Sequence, residues 1–105
     1  KIATGIRVKL DDDKFLALYP RSGLGFKFRI QLDNTVGVID SDYYNSDNEG
    51  HIMAKITNDG REGKAVHVKQ GEAFMQGVIT QFFKTVDDES EAVRNGGFGS
   101  TTPNA

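Results

Sequence analysis

The sequence predicts an all-β fold, a jelly-roll-like barrel or sandwich, and three observations point there. Apolar residues mostly alternate with polar ones, the period of a strand with one buried face. The runs are short and punctuated by Gly, Pro, Asn and Asp turn chemistry. No segment sustains the 3.6-residue period of a strong helix. Ile6, Val8 and Leu10 alternate with Arg7 and Lys9, Asp11 to Lys14 form a polar turn, and Phe15 to Tyr19 make a second apolar run that Pro20 ends. This predicts a hairpin. Phe26, Phe28, Ile30 and Leu32 alternate with Lys27, Arg29 and Gln31, the most regular strand pattern in the chain. Asp33-Asn34 then supplies a turn into Val36 to Ile39, predicting a second hairpin. After a polar stretch from Ser41 to Gly50, Ile52 to Ile56 reads as a strand, with a turn at Asn58-Asp59-Gly60 and Gly63. Ala65 to Lys69 and Ala73 to Phe83 complete the set, separated by Gln70-Gly71-Glu72.

Composition narrows the function. The 105 residues suit one domain. With 13 Lys plus Arg against 15 Asp plus Glu, the net charge of -2 argues against a broad basic face that holds polynucleotide. Any phosphate must be met by a local site. Without Cys, thiolate metal sites, disulfides and thiol nucleophiles are excluded. Hydrophobic residues make up 37%, a lean supply that predicts some surface buried against a partner. No window approaches the roughly 18 apolar residues of a membrane span, and no signal pattern opens the chain, so a cytoplasmic protein is expected. Residues 1–83 read as a β core and 84–92 as a charged linker. Residues 93–105 read as a glycine-rich arm unable to build a core of its own.

Three local patterns carry chemistry. Pro20-Arg21-Ser22-Gly23 places a guanidinium, a hydroxyl and a flexible backbone at a strand end, which suits an oxyanion, although Pro and Gly also simply end strands. In Arg94-Asn95-Gly96-Gly97-Phe98-Gly99-Ser100-Thr101 the glycines let several N–H groups turn toward one anion, and Phe98 has no core to join. Its ring either closes over a flat ligand or makes casual contacts from a loose tail. In Gly37-Val38-Ile39-Asp40-Ser41-Asp42-Tyr43 the apolar run puts Asp40 where a strand leaves the core. There its carboxylate either acts as a general base or is an ordinary turn residue. Asp11-Asp12-Asp13 reads as a solvated turn, and His51 and His67 lie outside any ligand spacing.

In this order the patterns resemble the trimeric dUTPase family, which hydrolyses dUTP to dUMP and pyrophosphate. Pro20 to Gly25 resembles the family's second motif, Gly37 to Tyr43 its third, Gly71 to Gln76 its fourth and Arg94 to Thr101 its glycine-rich fifth. The stretch Asp42-Tyr43-Tyr44 through Asn48-Glu49-Gly50-His51-Ile52 is similar to a bacterial and phage branch. The resemblance implies that Asp40 deprotonates a water for in-line attack on the α-phosphorus and that Tyr43 lies against the deoxyribose. It implies that Asn34, with the backbone of Thr35 to Val38 including Gly37, binds the uracil edge. Arg21, Ser22, Gly23 and Gln76 would hold phosphate oxygens. Phe98 would stack on uracil while Arg94, Gly99, Ser100 and Thr101 reach the β- and γ-phosphates. Mg²⁺ would be held mainly by the substrate phosphates and water. A homotrimer with shared sites would account for the lean core and for a tail without one.

The family's first motif, Ala-Gly-x-Asp, has no counterpart here, so the sequence reads as part of a longer subunit that begins upstream of Lys1. Ala73 stands where the fourth motif commonly has Arg, and Arg94 precedes Gly96-Gly97 by two residues where many members have three. Two other readings remain at this stage. One is a dCTP deaminase of the same fold, whose pattern has Pro-Gly-Phe where Ser41-Asp42-Tyr43 stands. The other is a nucleotide-dependent binding module whose arm switches a regulatory protein partner.

Overall fold

The computed structural model describes residues 1–86. Seven strands and one short helix follow in order: β1 (Ile2–Ala3), β2 (Lys14–Pro20), α1 (Ser22–Phe28), β3 (Ile30–Leu32), β4 (Gly37–Asp40), β5 (Met53–Ala54), β6 (Ile56–Asn58) and β7 (Met75–Gln81). A 3-10 turn, Ser41–Asn45, follows β4 directly. All pairing is antiparallel: β4-β2-β7 forms a three-stranded sheet, β1 pairs with β5, and β3 pairs with β6. The all-β expectation therefore holds.

β2 organises the molecule because it is apolar on both faces. Leu16, Ala17 and Leu18 are all buried, as a central strand flanked on each side requires. Leu16 and Leu18 meet Leu32, Ile52 and Ala54 in one core cluster, joined by Val8, Leu10, Ile39, Ile56, Phe74 and Met75. Each of the three sheets contributes to that cluster. At the start of β2, the Asp13 carboxylate accepts from Lys14 Nζ at 2.8 Å and from Gln81 Nε2 at 3.1 Å, tying the turn to the end of β7. The Lys14 hydrogen bond holds the Asp13 carboxyl below its ordinary value of 3.8.

Several expected elements form differently. The segment Ile6 to Leu10 half-buries Val8 and Leu10 and exposes Arg7 and Lys9 as the alternation implies, but Ile6 is exposed, and the segment is not a strand and makes no hairpin with β2. Its neighbour is the chain around Ile52, whose N–H donates to Ile6 O at 2.9 Å and whose carbonyl accepts from Thr4 N at 3.1 Å. The predicted strand from Phe26 to Leu32 is a correction. Ser22–Phe28 is a helix, and only Ile30–Leu32 is strand. Leu24 and Phe28, four residues apart, face the molecule in either conformation, whereas Phe26, which alternation would bury beside Phe28, is 90% exposed. Arg29 ends the helix in the left-handed region at φ 51°. The second hairpin shrinks to a Leu32–Thr35 bridge, because β4 leaves β3 and pairs with β2. Ala65 to Lys69 is likewise irregular rather than strand.

Candidate functional site

β4 is the edge of its sheet: β2 covers one side, and among the described residues no strand covers the other. Such an edge presents a row of backbone N–H and C=O groups. Along it runs a groove of about 360 Å³ whose lining includes Asn34, Gly37, Asp40 and Tyr43. Four of the residues singled out from sequence thus share one groove. Its apolar wall is Leu18, Leu32, Val38, Ile39, Met53 and Ala54, with Asp33 and Lys55 at the rim.

Each lining residue has a local cause. Gly37 sits opposite Leu18 in the ladder, and a Cβ there would come within 3.1 Å of Leu18 Cβ and Cδ1, so glycine keeps the groove floor low. Asn34 lies in a tight turn in which Thr35 N donates to Leu32 O at 2.8 Å. Thr35 takes φ 70°, a left-handed conformation that a β-branched residue rarely adopts. Asp33 anchors that turn: its N–H donates to Lys55 O at 2.9 Å, its carboxylate accepts from Thr57 Oγ1 at 2.5 Å, and Lys55 Nζ lies 3.7 Å away. Asp40 is the last residue of β4, half-buried and opposite Phe15. Tyr43 is also half-buried, and its hydroxyl donates to His51 O at 2.7 Å.

Arg21, Ser22, Gly23 and Gln76 gather elsewhere. Arg21 precedes α1, Ser22 and Gly23 form its first turn, and all three are exposed. Arg21 N donates to Phe74 O at 3.3 Å and its Nη1 to Ala73 O at 3.5 Å, while Gln76 Nε2 donates to Pro20 O at 3.2 Å. This cluster sits beyond one end of β2 and Asp40 near the other. Phe15, opposite Asp40, is six residues from Arg21, or about 20 Å at roughly 3.3 Å per residue. Within one chain the two clusters do not meet. Arg94, Phe98, Gly99, Ser100 and Thr101 lie outside the described residues, as do most of the linker and all of the arm.

Sequence reasoning missed Met53, Ala54 and Lys55 as groove lining. They reach it because β5 is held by β1, a pairing of Ile2 with Ala54 and Ala3 with Met53 across about 50 residues of chain that no local pattern announces. Among the described residues no three His, Asp or Glu side chains converge as a metal cage. None of the described helices is long and apolar enough to cross a membrane.

A family model described as dUTPase matches residues 1–102. The chain is 41% identical over 103 residues to a deoxyuridine 5'-triphosphate nucleotidohydrolase of Lactococcus lactis, covering 95% of this chain and 67% of the relative. It is 43% identical over 106 residues to the protein of the same name from Hahella chejuensis, covering 95% and 65%. A crystal structure of dUTPase from Streptococcus mutans aligns with a TM-score of 0.67 at 37% identity, over 79% of this chain and 64% of that one. The chain thus spans about two thirds of the length of these relatives.

Proposed function

The chain belongs to the dUTPase family, and we propose that it binds dUTP and hydrolyses it to dUMP and pyrophosphate. What carries this reading is the groove that gathers Asn34, Gly37, Asp40 and Tyr43 along an open strand edge. A pyrimidine edge lying against β4 exchanges hydrogen bonds with backbone groups and with Asn34, and a close floor at Gly37 leaves little room for a methyl group. The Tyr43 ring takes the sugar side. Asp40, half-buried at the end of the strand, accepts the proton of a water as that water forms a bond to the α-phosphorus. The bridging bond from the α-phosphorus to the β-phosphate breaks, and pyrophosphate leaves with the electron pair.

Arg21, Ser22, Gly23 and Gln76 take the phosphate role, and their distance from Asp40 supports sites shared between subunits of a homotrimer. One chain then supplies the Asp40 groove and its neighbour the Arg21 cluster. The arm, through Phe98, Arg94, Gly99, Ser100 and Thr101, completes the enclosure. Magnesium would be held mainly by the substrate phosphates and water, and the chemistry it would supply there is neutralisation of the phosphate charge.

The test is a substrate panel with Mg²⁺. Pyrophosphate release from dUTP, with UTP and dCTP turned over far more slowly, is the expected result. Ammonia from dCTP without pyrophosphate from dUTP would overturn the reading in favour of a deaminase.

A further inference from the structure

We propose that Asn48 is a positioning residue for the groove. Through its side-chain amide it fixes the Tyr43 ring, so that selection against a 2′-hydroxyl depends on a residue outside the groove lining. This rests on the reading that Tyr43 faces the sugar. Asn48 Nδ2 donates to Tyr43 Oη at 2.8 Å, and Asn48 Oδ1 accepts from Ser46 Oγ at 2.6 Å, which sets the orientation of the amide. Ser46 is buried and its hydroxyl also accepts from Gly50 N at 3.2 Å, so the chain of bonds ends in fixed backbone.

Tyr43 Oη spends its single proton on His51 O at 2.7 Å and receives one from Asn48. No proton remains for a ligand, so Tyr43 acts by the shape and place of its ring. The His51 anchor and the neighbouring Tyr44 are themselves held. His51 Nε2 accepts from Gly5 N at 3.0 Å, and Arg7 lies 3.6 Å over the Tyr44 ring while donating to Tyr44 O at 2.8 Å. Gly50, at φ 71°, lets the loop close on the 3-10 turn: a Cβ there would lie 2.7 Å from Tyr44 Cα and 2.9 Å from Tyr43 O. Asn48 is the side chain that converts this rigid loop into a fixed ring position.

The experiment compares binding of the non-hydrolysable α,β-imido analogue of dUTP with that of its ribose counterpart, by calorimetry. Asn48→Asp is close to isosteric and keeps an acceptor for Ser46, but it loses the donor to Tyr43 and draws the phenol proton away from His51 O, releasing the ring from its position. It is expected to lower the deoxy-to-ribo preference about three- to tenfold, the range of one hydrogen bond. Tyr43→Phe, which also loses the bond to His51 O, should lower it at least as much, and the double variant no further than Tyr43→Phe, since without the hydroxyl Asn48 has no bond to the ring left to lose. Unchanged preference in Asn48→Asp, or losses that multiply in the double variant, would overturn the proposal. A purely structural effect weakens both ligands alike, leaves the ratio intact and also overturns it. If Asn48→Asp does not fold, Asn48→Ala, which removes both the donor to Tyr43 and the acceptor for Ser46, is read by the same deoxy-to-ribo ratio. Should the unaltered protein bind both analogues equally, the assignment of Tyr43 to the sugar fails first and the role of Asn48 with it.

Discussion

Asp40 owes its place to two neighbours in sequence with opposite demands. Ile39 packs against the core, while Ser41 begins a 3-10 turn, so the strand ends with the carboxylate half in and half out of solvent. A base that removes a proton from water contributes about 10²- to 10⁴-fold. Asp40→Asn, nearly the same shape, is therefore expected to lower dUTP turnover by about 100-fold or more while nucleotide affinity changes little. Pyrophosphate release and calorimetry on the same variant check this; turnover that survives would give the proton to another group. Asp13 shows a carboxylate with a different task. Its carboxyl is held low by Lys14 and contributes to folding above the ordinary value of 3.8, a contribution lost only as pH falls further. Near neutral pH that contribution is present in full and does not change with pH.

The strand elements explain why glycine recurs beside leucine. Leu18 is flanked in the sheet by Gly37 on β4 and Gly77 on β7. A Cβ at Gly77 would approach Leu16 Cδ1 to 2.9 Å, and one at Gly37 would meet Leu18 at 3.1 Å. Gly37→Ala and Gly77→Ala are both expected to destabilise by about 1 to 3 kcal/mol through overpacking, read as a lower urea midpoint. Only Gly37 lines the groove, so only Gly37→Ala should also weaken nucleotide binding; equal loss in both would detach binding from the groove floor. The helix at Ser22–Phe28 teaches a related lesson. Leu24 and Phe28 satisfy a strand period and a helix period together, and Phe26, the residue that separates the two, proves to be exposed. Two glycines make this a poor helix on propensity, so its conformation comes from tertiary context.

At the scale of the molecule, the outer strands β4 and β7 leave apolar side chains exposed, Ile79 beside Leu16 at 60% among them. Leu16 and Leu18 enter the core, while the alternate row is Val38, Ala17 and Val78. Val38 is 54% exposed and Val78 47%. Apolar side chains in such a row gain by being covered, which is the lean core expected from composition seen in three dimensions. The shared-site reading predicts a particle three times the 11.5 kDa chain mass in light scattering. It also predicts that a mixed assembly of Asp40→Asn chains with Arg21→Ala chains recovers turnover that neither variant has alone. A monomer with full activity would sink that reading.

Composition and pattern determined the all-β class, the burial alternation in Val8 and Leu10, the absence of thiol chemistry and the candidate residues of the groove. Those properties are local: a side chain's polarity and its neighbours two positions away suffice to state them. Tertiary structure alone decided which strands pair and which residues meet. β2 pairs with β4 and β7 instead of with the segment before it, and β5 is brought to the groove by β1. It also set the Arg21 cluster and Asp40 toward opposite ends of β2. The physical reason is that pairing is settled by the joint burial of Leu16, Leu18, Leu32, Ile52 and Ala54. No segment carries that core by itself.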